Sequence, residues 1–144
     1  RDLRMSRGLG DVYKRQLLPF EITTQTIERT LVDKVFALCD YYLQGKISGH
    51  SRHLYDIYKI VETIGITDEM ERLIPEVRGV RSKLDVCPAA KEGVCITEIL
   101  EAIVEEQAYK KDYEEITMGL LFITETYDTV IQSIQKLINS GVWN

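Results

Sequence analysis

The sequence predicts a mainly α-helical protein, a bundle of five or six helices that follows one short strand. Apolar residues recur at spacings of three and four along several segments, which is the period of an amphipathic helix. Threonines precede several of these segments and glycines follow them, as at helix ends. The 144 residues are enough for one domain with a sizeable core, and the sequence contains no internal repeat.

The first predicted elements are the strand and a long helix. Residues 17–22, LLPFEI, form a short strand or its exit, and Pro19 marks an edge or a bend. The helix extends to about Gln44, and Gly45 is its expected stop. A threonine caps its start, and the candidates are Thr23, Thr24 and Thr26. Its apolar face consists of Ile27, Leu31, Val35, Leu38 and Tyr42.

Two further helices are expected in the middle of the chain. One covers residues 51–64 and ends before Gly65. The next covers residues 68–84 after a cap at Thr67, and Pro75 inside it implies a kink or a restart. The apolar face of the first of these two helices consists of Leu54, Ile57, Tyr58, Val61 and Ile64.

The last third of the chain is also predicted to be helical. After a loop over residues 85–94, Thr97 is expected to cap a fourth helix over residues 98–108. Residues 110–123 continue helically, and residues 125–141 close the chain as a last helix. Its apolar face consists of Tyr127, Val130, Ile131, Ile134, Leu137 and Ile138.

Composition excludes several classes of protein. Hydrophobic residues make up 44% and charged residues 28%, as in ordinary soluble domains. No apolar run approaches the ~20 residues that cross a bilayer, and residues 1–16 lack the apolar region of a secretory signal. The three cysteines, without a C-x-x-C pair, argue against a zinc ribbon and favour reduced, mostly buried thiols in a cytoplasmic protein.

The first sixteen residues are interpreted as a non-native leader. Residues 11–16, DVYKRQ, can be encoded by GAT GTG TAT AAG AGA CAG, which resembles the end of a transposase-based sequencing adapter. Residues 6–10 can continue the same adapter, and residues 1–2 can end its primer. We therefore divide the chain into an adapter-like leader, 1–16, and a domain, 17–144, that has lost its own N-terminal part. The leader carries a charge of +3 within a total of −5, which leaves −8 for residues 17–144.

Lys34 is the first candidate functional residue. It lies on the same stripe as Ile27, Leu31 and Leu38, and a lysine in an apolar stripe is costly unless its ammonium reaches solvent or an anion. One interpretation is a lysine that snorkels at the rim of the core. The other is a cation held in a cleft to meet a phosphate group.

A polar cluster at the start of the second helix is the second candidate. Arg52 and His53 are placed four and three residues before Asp56, so the three side chains share one helix face. This face is either solvated, with a weak salt bridge, or one wall of an active site. The full cluster consists of His50, Ser51, Arg52, His53, Tyr55 and Asp56.

Other chemical motifs are absent or discounted. The sequence has no P-loop, no H-E-x-x-H and no serine-hydrolase elbow, and its one G-x-G lies in the leader. Residues 109–113, YKKDY, could form an aromatic and basic patch that faces RNA. We prefer the interpretation that these tyrosines pack inward.

The two candidate segments together resemble a known family. ERTLVDKVFALCDYY followed by SRHLYDIYKI resembles the C-terminal half of the AbiEii/AbiGii-type nucleotidyltransferase toxins of bacterial toxin–antitoxin and abortive-infection systems. The later KDYEEITMGLLF resembles the D-Y-x-x-M region of that family in slightly shifted form. The matching positions are Thr30, Asp33, Lys34, Arg52, His53 and Asp56, with Asp112, Tyr113 and Met118 in the later region.

The resemblance implies an α+β, polymerase-β-like nucleotidyltransferase whose C-terminal helical bundle is present here and whose N-terminal sheet is mostly missing. Such an enzyme would transfer a nucleotide from an NTP to a hydroxyl of RNA, with tRNA the expected acceptor, and would use Mg²⁺. The resemblance also implies a cognate antitoxin protein as partner, a cytoplasmic location and no membrane association.

The resemblance also implies roles for individual residues. Lys34 would contact nucleotide phosphate and Asp56 would orient that lysine or the acceptor, so these two are the catalytic candidates. Arg52 would be a supporting phosphate or carboxylate partner, and Asp33 and His53 complete the site. His53 stands where many relatives carry an acid, so no metal role is transferred to it.

The expected metal site has no match in this sequence. The Gly-Ser motif and paired carboxylates of the family belong before Leu17, so no metal ligand is assigned and the chain is expected to be an inactive fragment. The alternative hypothesis is a stand-alone helical module that binds a partner protein without catalysis.

Overall fold

The fold is built around one long central helix. The structure is a computed structural model and describes residues 26–121 and 125–143. Helix α1, Ile27–Gln44, packs against α2, Arg52–Ile64, against α3, Asp68–Arg81, and against a short 3₁₀ turn, Pro88–Ala90. The prediction of a mainly helical fold is confirmed, and the described residues contain no strand. The expected strand over residues 17–22 lies outside them.

The last third of the chain covers the other side of α1 and α2. Helix α4, Ile96–Glu106, contacts α1, and the last helix, α7, Tyr127–Ser140, packs on both α2 and α4. Between α4 and α7 the chain forms three short helical pieces. They are α5, Lys110–Asp112, a π-helical turn, Tyr113–Thr117, and α6, Met118–Leu121.

The ends of α1 follow the predicted signals. Among the three candidate threonines, Thr26 is the N-cap, and its hydroxyl accepts a hydrogen bond from the Arg29 amide at 3.1 Å. Gly45 ends the helix with a left-handed φ of 71°, which lets its amide reach the last carbonyls. Thr67 caps α3 as predicted, and α3 continues through Pro75 without a restart.

Two predicted features differ from the structure. The fourth helix begins at Ile96, so Thr97 lies inside it and is not the cap. The helix begins before Thr97, and the side chain of its first residue, Ile96, is fully buried in the core. The segment that was expected to continue helically widens into a π turn, which places Tyr113 and Thr117 both in the interior.

Two tyrosines between α4 and α7 connect this part of the chain to the core through burial and hydrogen bonds. Tyr109 and Tyr113 are fully buried, which confirms that this pair packs inward. The Tyr109 hydroxyl donates to the Leu38 carbonyl of α1 at 2.7 Å, and the Tyr113 hydroxyl donates to the Glu125 carbonyl at 2.9 Å. In the described part of the chain, no helix is both long and apolar enough to span a membrane.

The cysteines are free thiols in the described structure. Cys39 and Cys87 are buried, and Cys95 is partly exposed. Burial is the main cause that raises the pKa of the Cys39 thiol, which therefore stays protonated and packs as a small apolar group.

Candidate functional site

Lys34 and Asp56 form an ion pair between the two helices that the sequence singled out. The Lys34 ammonium donates to Asp56 Oδ2 at 3.1 Å, with 5% of the Asp56 side chain exposed and 21% of the Lys34 side chain. The neighbours of Lys34 on its stripe are fully buried, so the lysine rises from the core and meets an anion at its edge. The aspartate is in the interior, which rules out a fully solvated face for this cluster.

Arg52 is the second cation at this carboxylate. Its Nε lies 3.9 Å from the same oxygen, Asp56 Oδ2, and about half of its side chain is exposed. The other oxygen, Oδ1, is buried and accepts no hydrogen bond within the part of the chain that the structure describes. Asp56 therefore has unused acceptor capacity beside two cations.

His53 lies beside this pair as a neutral imidazole. Burial is the main cause that lowers its pKa to about 4, and its Nδ1 is buried without a hydrogen-bond partner among the described residues. Interactions with neighbouring groups lower the pKa further, in the order Lys34, His50, Arg52 and Arg81. At neutral pH the site therefore contains an uncharged ring near Lys34, Arg52 and Arg81.

Arg81, from the last turn of α3, is a site residue that the sequence interpretation missed. Its guanidinium binds Asp40 at 2.8 Å and Asp33 at 3.5 Å. Asp40 also accepts the Ala89 amide at 2.7 Å. The basic residues at the end of α3 were the only sequence signal that pointed to Arg81. Its partner Asp40 is 41 residues away along the chain, so their contact leaves no local pattern.

Some of these side chains line a small cavity of about 300 Å³, whereas Arg52, Asp40 and Asp56 are not among its lining residues. Its walls come from α1, α2 and α3, and consist of Thr30, Asp33, Lys34, Ala37, His53 and Arg81. A larger groove of about 920 Å³ lies near Trp143 and contains none of the predicted site residues. The predicted site residues Asp33, Lys34 and His53 therefore line the smaller cavity.

Asp112 holds the start of α2 in place. Its two oxygens accept the Gly49 amide at 2.9 Å and the Ser51 amide at 3.2 Å. Although burial alone would raise the pKa of this carboxyl, those hydrogen bonds lower it overall. The Ser51 hydroxyl also meets Thr117 Oγ1 at 2.6 Å, so the π turn fixes the same end of α2.

The described residues do not fit a divalent metal ion. Nowhere in residues 26–121 or 125–143 do three or more histidine, cysteine, aspartate or glutamate side chains come together as a ligand set. The three aspartates near the cavity are each directed at a cation, Asp56 at Lys34 and the other two at Arg81. Mg²⁺ needs carboxylate oxygens that face an open site.

The fold and the site define a helical domain with a cavity lined by paired charged side chains. Residues 7–134 match the family model described as the nucleotidyl transferase AbiEii toxin of a type IV toxin–antitoxin system. The chain therefore belongs to this family, and the resemblance stated above is confirmed. Comparisons with curated proteins and with solved structures found no match.

Family membership establishes a toxin of the nucleotidyltransferase class with an antitoxin as its counterpart. Enzymes of this class generally use an NTP and a divalent metal ion.

Proposed function

We propose that this domain holds the phosphates of an NTP while the nucleotide is transferred to an RNA acceptor, with the end of a tRNA as the acceptor. The observation that carries the proposal is the 3.1 Å pair between Lys34 Nζ and the buried Asp56 carboxylate. A lysine fixed at a cavity wall presents a point charge to the transferring phosphoryl group.

The neighbouring residues have complementary roles in this proposal. Asp56 orients the Lys34 ammonium, and Arg52, whose side chain is half exposed, supplies a second cation when phosphate enters. His53 fills the cavity wall without adding charge, because its low pKa keeps the ring neutral. Asp33 keeps Arg81 at the rim of the cavity.

The proposal includes a division of labour. The described residues bind nucleotide and do not supply the metal carboxylates, so we expect the 144-residue chain to bind NTP without transferring it. The support is the pairing of Asp33, Asp40 and Asp56 with lysine or arginine. A cytoplasmic site of action and a cognate antitoxin protein as partner belong to the same proposal.

Nucleotide binding to the purified chain tests the role of Lys34. We expect Lys34→Gln to weaken ATP or CTP binding about tenfold or more in calorimetric titrations, since one charge-assisted phosphate contact contributes about 1.5–3 kcal/mol. Lys136→Gln is the matched control, because Lys136 forms an exposed pair with Glu62 at 3.3 Å on a different face.

Three results would contradict the proposal. One is equal binding by the wild-type chain and Lys34→Gln while circular dichroism shows both folded. The second is an equal loss in Lys136→Gln, which would indicate general charge attraction. The third is absence of any NTP binding by the wild-type chain, and capture of the purified antitoxin that Lys34→Gln leaves unaffected would then favour the non-enzymatic binding module.

We also propose that residues 1–16 are translated adapter and that the toxin domain comprises residues 17–144. The support is the codon pattern described above, although the family match begins at residue 7. The nucleotide sequence of the reading frame decides the matter. Codons other than GAT GTG TAT AAG AGA CAG over residues 11–16 would reject the adapter.

A further inference from the structure

Three aromatic rings lie parallel next to the Lys34 cavity. The rings of Tyr41 and His50 are stacked with centroids 3.6 Å apart and planes 9° from parallel. The centroid of the His53 ring lies 5.8 Å from that of Tyr41, and the two ring planes are 12° from parallel. One face of the Tyr41 ring is therefore covered by another ring, which fixes its orientation.

This stack is held in place before any ligand arrives. His50 Nδ1 lies 2.7 Å from the Lys46 carbonyl, which can only accept, so Nδ1 carries a proton and donates. The residues on either side of His50 in the chain, Gly49 and Ser51, donate their amides to Asp112. A platform fixed in this way loses little conformational entropy when a ligand binds.

Tyr41 lines a second cavity of about 280 Å³ that adjoins the Lys34 cavity. The two cavities share Ala37 and Arg81 in their walls, and so lie side by side along α1. The walls near Tyr41 include the apolar side chains of Val86 and Cys87, with Lys46 at the edge. This combination suits a flat, mostly apolar ring that carries polar edges.

The spacing along α1 matches a nucleotide. Lys34 and Tyr41 are seven residues apart, which is two helical turns on one face and about 10 Å along the axis. A nucleotide places its phosphates and its base at such a separation. The phosphates then lie at Lys34 and the base at Tyr41.

We propose that Tyr41, backed by His50, is a stacking platform for a nucleobase of the substrate whose phosphate lies at Lys34. This inference rests on the proposed function and adds to it where the base binds. Stacking on a ring tolerates any base, since every base has a π face. Because the proposed function places the phosphates of the NTP at Lys34, the base on Tyr41 is that of the NTP, and the RNA acceptor serves as the comparison.

Fluorescence of 2-aminopurine tests the platform, because stacking on an aromatic ring quenches it. The probes are 2-aminopurine riboside triphosphate and a short single-stranded RNA with 2-aminopurine at its 3′ end. We expect the wild-type chain and Tyr41→Phe to quench the triphosphate probe. Tyr41→Leu should lose the quenching and bind about 5- to 150-fold more weakly, the range for one base–aromatic stack.

The matched control is Tyr58→Leu, which removes a half-buried tyrosine of α2 that lines neither cavity. Quenching of the triphosphate supports the platform, and quenching of the RNA alone overturns it. The inference is overturned if the wild-type chain quenches neither probe or if Tyr41→Leu quenches like wild type. An equal loss in Tyr58→Leu also overturns it.

Separate readouts distinguish failure of this inference from failure of the proposed function. If tripolyphosphate binding depends on Lys34 but no quenching depends on Tyr41, the platform is wrong and the phosphate site stands. If 2-aminopurine riboside is quenched through Tyr41 but Lys34→Gln binds tripolyphosphate like wild type, the phosphate role is wrong. Should Tyr41→Leu unfold, His50→Ala and Tyr41→Phe carry the comparison.

Discussion

Individual side chains decide how charge is distributed in the cavity. Lys34 lies in an otherwise buried stripe of α1 and forms an ion pair with the carboxylate of Asp56, which is itself almost completely buried. Removing one partner from such a pair leaves the other without compensation, whereas removing both leaves apolar surface. Stability measurements can therefore separate the structural part of the pair from its proposed role in binding.

We expect Lys34→Met to lower the free energy of unfolding by about 2 kcal/mol, because it leaves Asp56 buried with only Arg52 nearby. The double variant Lys34→Met/Asp56→Leu should recover most of this loss, as measured by urea unfolding at pH 7. A double variant as unstable as the single one would show that the carboxylate was not the source of the loss.

His53 makes stability depend on pH. Its pKa falls from about 6.5 in the unfolded chain to about 4 in the folded one, so the unfolded state binds more protons between these values. The contribution of neutral His53 to the free energy of unfolding is complete above pH 6.5 and is lost as the pH falls toward 4. The full loss amounts to at most about 3 kcal/mol.

The comparison of wild type with His53→Gln isolates that contribution. Urea unfolding at pH 7 and pH 4.5 should show a smaller decrease in the variant, since glutamine does not titrate. Carboxylates titrate in both proteins and largely cancel in the difference. An equal decrease in the two proteins would contradict the low pKa of His53.

At the scale of helices, the sequence predicts what local chemistry controls. The end of α1 at Gly45 was predicted correctly and Thr26 was one of three candidate caps, because such residues act on amides and carbonyls within one turn. Thr97 was wrongly predicted as a cap because burial of Ile96, a tertiary effect, moved the helix start. The π turn also has no local sequence signal, because it depends on contacts that Tyr113 and Thr117 make with residues distant in sequence.

The candidate site shows the same limit. Lys34 and Asp56 were identified from a sequence motif, and the structure brings their side chains within 3.1 Å of each other. Arg81 and the Tyr41 stack were missed, because helices that cross in space place together residues with no fixed spacing in sequence. Periodicity indicates which face of a helix is buried and does not indicate which helix covers it.

Two glycines on helices should respond oppositely to alanine. Gly45→Ala should destabilise the protein by about 1 kcal/mol, since its φ of 71° suits glycine. Gly79→Ala, inside α3 with no atom within 4 Å of the added carbon, should stabilise it by about 0.5–1 kcal/mol. Thermal unfolding measures both, and shifts of the same sign would contradict this reasoning.

The whole molecule depends on contacts that close the chain onto α1. Trp143, near the C-terminus, is 3% exposed and meets Phe36 of α1 edge to face, with ring centroids 5.5 Å apart. Arg78 of α3 stacks on the same Phe36 ring, 5.4 Å from its centroid. This aromatic cluster joins the end of the chain to the helix that carries Lys34.

We expect Trp143→Ala to cost about 3 kcal/mol of unfolding free energy through lost burial. Leu120→Ala, at a side chain that is 72% exposed, should change stability by less than about 0.5 kcal/mol. Urea unfolding of both variants checks the contrast. A Trp143→Ala protein as stable as wild type would show that the C-terminal segment contributes little to the core.

The pairing of charges in the cavity has a consequence for selectivity. At rest each cation of the cleft already has an anion, Lys34 with Asp56 and Arg81 with Asp40, so the cleft offers little net attraction from a distance. A phosphate that binds at Lys34 must therefore gain its affinity from close contact and not from long-range attraction. Together with the −8 charge of residues 17–144, this pairing weakens the long-range attraction of nucleic acid to the cleft.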